Sequence, residues 1–152
     1  MKVKYREGDW FAVPLRDNGY AVGVVARANK DGILLGYFFG PRRLELPQLT
    51  DVRDMTKAQA ILVGRFGDLH LIQGKWPILG RLHDWHRDDW PMPVFVRYEE
   101  LTGRSFRVYY DDDDPNNVPR EEQIPPGVAE QGPKDRMMGA GFVERVLTKI
   151  LQ

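Results

Sequence analysis

The chain has 152 residues, 42% of them apolar and 29% charged, and its 22 basic and 22 acidic side chains cancel. This length suits one domain, 1–152, with a substantial core, and this composition is globular and not disordered. Zero net charge removes the field that recruits nucleic acid, and the lack of cysteine removes disulfides, thiolate zinc sites and a cysteine nucleophile while suiting a reducing cytoplasm.

No apolar run approaches the roughly 20 residues of a membrane helix. The opening MKVKYREGDW lacks the apolar core of a signal peptide. Trp10–Leu15 is an apolar run ended by Arg16-Asp17-Asn18-Gly19, whose Asn-Gly pair tolerates the positive φ of a tight hairpin. Tyr20–Arg27 alternates, with Tyr20, Val22 and Val24 on one face and Ala21, Gly23 and Val25 on the other. A second turn at Asn29–Gly32 leads into Ile33–Phe39, and Gly40-Pro41 is expected to stop that strand. Gly23 and Gly36, inside strands, predict bulges or sharp curvature. Leu46, Leu49, Val52 and Met55 recur every third residue, which predicts a short helix or 3-10 turn starting near Thr50.

Ala60–Phe66 reads as a strand, Gly67-Asp68 as a turn, and Leu69–Ile72 as a segment pairing back. Lys75–Ile78 would continue the sheet at an edge, because Pro77 has no ladder donor. Arg81–Pro93 is expected to be an ordered loop crowded with aromatics, histidines and charges. Val94–Glu99 and Ser105–Tyr110 read as two strands closing a β-rich core over 1–110. Residues 111–133, with 5 of the 11 prolines, read as a Pro/Asp-rich loop or arm. A helix is expected over 138–151, burying Val143, Val146, Leu147 and Ile150 and turning Glu144, Arg145, Thr148 and Lys149 outward. The fold expected is α+β but mainly β: a strongly bent antiparallel sheet or small barrel-like meander with the C-terminal helix packed on it.

Few residues offer catalytic chemistry. Ser105 is the lone serine and has no G-x-S-x-G around it. His83 and His86, three apart and near Asp88, form a weak metal pattern that lacks a third strong ligand and a general base. Charge is uneven, with 8 acidic against 3 basic residues over 99–122. Asp111–Asp114, which lacks the alternating spacing of a calcium loop, together with Glu121 and Glu122, could instead face a basic site on a partner protein. Trp85, Trp90 and Tyr110 join them as candidate partner-binding residues, because exposed Trp and Tyr dominate interface hot spots.

Tyr5-Arg6-Glu7-Gly8-Asp9-Trp10-Phe11-Ala12-Val13-Pro14-Leu15, then Gly19–Val25, with Gly74-Lys75-Trp76-Pro77 and Gly80, resembles the immunity protein 26 family. That resemblance implies a cytoplasmic inhibitor from a bacterial polymorphic toxin system. It would bind a cognate toxin domain and neutralise it by occlusion, without catalytic residues or cofactors. Some similar sequences are also labelled phosphotriesterase, so the enzyme alternative is a metal-dependent phosphotriester hydrolase using His83 and His86. A β-domain adaptor with no toxin is the third reading.

Overall fold

The computed structural model describes residues 2–126, 128 and 131–152. Four strands form an antiparallel meander: β1 (Asp9–Pro14), β2 (Tyr20–Ala28), β3 (Ile33–Arg43) and β4 (Leu62–Gly67). A one-turn helix α1 (Leu69–Ile72) leads to β5 (Ile78–Arg81), which returns to pair with β1 at the sheet edge. Next come β6 (Phe95–Glu99), β7 (Arg104–Tyr109) and β8 (Arg120–Ile124), an antiparallel three-stranded sheet. The chain ends with the two-residue β9 (Met137–Met138), parallel to β4, and helix α2 (Ala140–Ile150). The first sheet has the order β5-β1-β2-β3-β4-β9; it is strongly bent and not closed into a barrel. The expected fold, mainly β with a C-terminal helix packed on the sheet, is the one observed.

Alternation along β2 is as read: Val22 and Val24 enter one hydrophobic cluster, Ala21 and Val25 the other. Both faces of the first sheet are covered, which is why its strands are apolar almost throughout. One face packs Phe11, Phe38 and Phe66 against Trp76 and against Val143 and Leu147 of α2. The opposite face packs Trp10, Tyr37 and Phe39 against Trp90 and against Phe95 and Val108 of the second sheet.

Several local expectations are corrected. Gly40-Pro41 does not end β3; the strand runs on to Arg43, which pairs with Tyr20. Between the Tyr20–Arg43 and Val22–Phe39 pairs the register shifts, so Pro41 falls in an irregular stretch where its missing N–H costs no regular ladder bond. The other shift in this ladder lies between the Val25–Gly36 and Arg27–Leu35 pairs, so the irregularity expected at Gly36 is present beside it, whereas none falls at Gly23. Gly23 serves packing instead: a Cβ there would stand 2.6 Å from the Phe11 ring and 2.9 Å from Phe38. Leu69–Ile72 does not pair back as a strand but coils into α1, with the Leu71 and Ile72 amides donating to the Asp68 carbonyl.

The segment 111–133 is more structured than a loop or arm. Residues 111–117 form tight turns, and Arg120–Ile124 add β8 to the second sheet. Opposite charges across strands help hold β8, whose one buried apolar residue is Ile124: Arg107 donates to Glu122 at 2.8 Å and Arg97 to Glu121 at 2.6 Å. The expected arm also includes Gly127, Ala129 and Glu130, which lie outside the described residues.

The buried stripe of α2 is rotated from the expected one. Val143 and Leu147 are buried, but Ile150 is 47% exposed and Thr148, expected outside, is buried. Thr148 Oγ1 accepts from the Arg16 amide at 2.9 Å and donates to the Glu144 carbonyl at 2.7 Å. The Glu144 carboxylate accepts from Trp76 Nε1 at 2.8 Å and Arg16 Nε at 3.1 Å, and His70 Nδ1 lies 3.3 Å away. Polar ties to the β1–β2 hairpin and to Trp76 thus turn Glu144 and Thr148 inward.

Candidate functional site

The acidic run Asp111–Asp114 is a locked turn. Asp111 Oδ1 accepts from the Asp113 amide at 2.8 Å, and Asp114 Oδ1 accepts from Asn29 Nδ2 at 2.9 Å. The Asn29 bond holds the Asp114 carboxyl below its usual range. Asp112 reaches Arg27, whose side chain is only 2% exposed: Nε and Nη2 donate to Asp112 Oδ1 at 3.1 and 3.0 Å, and Nη1 donates to the Trp90 carbonyl at 3.0 Å. Arg87 clamps the same turn from outside, contacting Asp112 at 3.3 Å and Asp113 at 2.9 Å while donating to Glu7 at 2.8 Å. Two internal arginines therefore neutralise much of the run. Asp113, with its side chain 82% exposed, is the member most open to solvent.

The other candidates separate in the same way. Glu121 and Glu122 are paired within the second sheet, Glu122 also receiving Arg120 at 2.9 Å. Trp90 is buried; it meets Trp10 and Phe39 edge-on, at 5.6 and 5.8 Å between ring centroids. Tyr110 is half-buried, donates to Asp135, carries Arg65 4.3 Å above its ring and meets Phe95 edge-on at 5.3 Å. Trp85 differs. It is partly exposed and stacks on Trp90, with ring centroids 6.0 Å apart and planes within 7° of parallel.

Trp85 lines a cavity of about 440 Å³. Trp10 and Trp90 are further walls, joined by Met55 and Leu82. The buried Nε1 of Trp10 has no hydrogen-bond partner among the described residues. Asp84, Asp88 and Asp89, supplied by the turns between β5 and β6, border the cavity, as do Arg53 and Lys57. All five charged residues are exposed and make no ion pair or side-chain hydrogen bond among the described residues. His86 does not gather ligands here: its Nδ1 accepts from the Asp88 amide at 3.3 Å and starts the 3-10 turn Arg87–Asp89. His83, His86 and Asp88 join no group of three or more His, Asp or Glu able to hold a metal among the described residues.

Sequence reasoning singled out the Arg81–Pro93 tract but missed Asp84 and Asp89 as free carboxylates, and missed Arg53, Lys57 and Arg27 altogether. The density of aromatics between charges was the available signal. That Arg53 and Lys57, some 30 residues earlier, border the same cavity is visible only in three dimensions.

The family model of immunity protein 26 matches residues 6–107, about two-thirds of the chain. The chain belongs to the immunity protein 26 family. No curated protein and no solved structure matches it. The immunity protein 26 match covers β1 to β6 and most of β7, and every residue lining the tryptophan cavity lies within it. The acidic turn, β8 and α2 lie beyond its end. No helix among the described residues is long and apolar enough to cross a membrane.

Proposed function

We propose that this protein binds one cognate toxin domain in the cytoplasm of the producing cell and neutralises it by occlusion, with no catalytic step of its own. The observation that carries this reading is the immunity protein 26 match over residues 6–107. The partly exposed Trp85 at the tryptophan cavity supports it, since tryptophan is enriched at interface hot spots and the surrounding charges suit the polar rim of a contact. A complex of the usual scale buries about 1,600 Å² in total, more than one cavity supplies, so neighbouring surface joins the contact.

The test is co-expression with the effector domain encoded beside the gene. Growth should be restored, and the two chains should co-elute at one-to-one stoichiometry. Toxicity that persists with every neighbouring effector, and no complex by gel filtration, would remove the proposal. Asp113→Lys should slow association and flatten its salt dependence, because reversing an exposed charge changes steering and leaves the core untouched. Unchanged association kinetics would assign Asp113 to solvent alone. Asp112 is unsuitable for that experiment, since a lysine there would face buried Arg27 and damage folding.

A further inference from the structure

We infer that the tryptophan cavity is a receptor for an arginine side chain of the protein partner, an inference that rests on the toxin-binding reading and names the chemistry of its anchor. Three features select that occupant. The walls are indole rings, Trp85 lying on Trp90 and Trp10 meeting Trp90 edge-on, and a planar guanidinium stacks on such surfaces. Asp84, Asp88 and Asp89 border the cavity in no ion pair among the described residues and outnumber Arg53 and Lys57 there, whereas Asp112 and Asp113 already hold Arg27 and Arg87. The cavity, about 440 Å³, admits a long side chain.

A purely apolar anchor would leave the carboxylates desolvated and unpaired, and an acidic anchor would meet them as like charges. Lysine would supply charge but not a planar group for stacking or bidentate pairing with a carboxylate. Arg53 and Lys57 bear on the choice as well. Unpaired themselves, they can receive a main-chain carbonyl or acidic neighbour of the entering residue, which fits a peptide segment and not a free cation.

The probe is N-acetyl-arginine methylamide, titrated into the full chain with the indole N–H signals of the 4 tryptophans as readout. N-acetyl-norleucine methylamide and N-acetyl-glutamate methylamide serve as apolar and acidic controls. The arginine probe should move the Trp85 and Trp10 signals saturably, and the controls should not. Asp88→Asn with Asp89→Asn should weaken the probe about threefold or more, while Glu45→Gln, an exposed change away from the cavity, should leave it unaltered. No saturable shift, equal shifts from the norleucine probe, or wild-type binding by the double variant would overturn the inference.

In the toxin complex, Trp85→Ala should raise the dissociation rate about tenfold or more. If that variant folds poorly by circular dichroism, the double asparagine variant, changed only at exposed sites, carries the same test through a faster dissociation. A toxin domain that binds both variants as tightly as wild type would overturn the arginine receptor and leave the immunity function standing. Failure of any toxin to bind would remove the immunity function, and with it the partner assigned to the cavity, even if the arginine probe binds.

Discussion

Arg27 brings a permanent positive charge into the protein interior, where it must be matched. Its guanidinium donates to the carbonyls of Ala26, Trp90 and Asp112 and to the Asp112 carboxylate, so one side chain joins β2, the Trp85–Trp90 tract and the acidic turn. Removing the Asp112 carboxylate strands that charge. Asp112→Ala should cost about 1–2 kcal/mol, below the figure for a fully buried pair because 58% of the Asp112 side chain is in water and its carbonyl still accepts. Urea denaturation read by tryptophan fluorescence would measure it; a midpoint equal to wild type would mean that the turn contributes nothing to Arg27. Gly8 is the other residue with a local demand. Its φ is +95°, and a Cβ would stand 3.0 Å from the Trp85 ring and 2.8 Å from Arg81 Nε. Gly8→Ala should therefore lose about 1–3 kcal/mol and alter Trp85 emission, a joint effect on the folded state and the cavity wall.

At the scale of elements, α2 and β8 show how polar ties override simple patterning. Apolar spacing alone puts Ile150 inward, but Glu144 and Thr148 are held by Arg16 and Trp76, and that turns Ile150 toward solvent. Leu147→Ala should cost about 2–5 kcal/mol, whereas Ile150→Ser should stay within about 0.5 kcal/mol of wild type. Thermal or urea unfolding of the pair decides the helix rotation, and equal losses would contradict it. In β8 the charge pairs with Arg97 and Arg107 supplement the burial of Ile124, and its acidic side chains also suit an edge strand that must not pair with another chain.

Across the whole molecule, the first sheet is covered on both faces, and tyrosine hydroxyls pin segments around it. Tyr5 donates to Asp68, Tyr37 to the Pro91 carbonyl and Tyr110 to Asp135. Burial pushes the Tyr37 phenol up to about 12, and burial with a carboxylate neighbour raises Tyr5 and Tyr110 as well. Folding thus favours the protonated phenol. The contribution is intact below the unfolded value, about 10, and is lost as pH rises from there through about 12. The urea midpoint should fall over that interval, and Tyr37→Phe should lessen the fall. In difference titrations of the wild type against Tyr5→Phe, Tyr37→Phe and Tyr110→Phe, the phenolate absorbance lost in each variant should be absorbance that appears late; ionisation of these three residues near pH 10 would contradict the packing.

The sequence by itself determined the β meander, its first two turns, the C-terminal helix and the family, because these depend on near neighbours: alternation along Tyr20–Arg27, Asn-Gly and Asp-Gly turns, and the Gly8-Asp9-Trp10 block. Tertiary structure decided which charges are free. Asp112 and Asp88 look alike in the chain, yet one closes on an arginine 85 residues away and the other stands unpaired beside a tryptophan wall. An ion pair depends on the separation of two side chains in space, and that separation is set only when the first sheet, the second sheet and the turns between them have packed together.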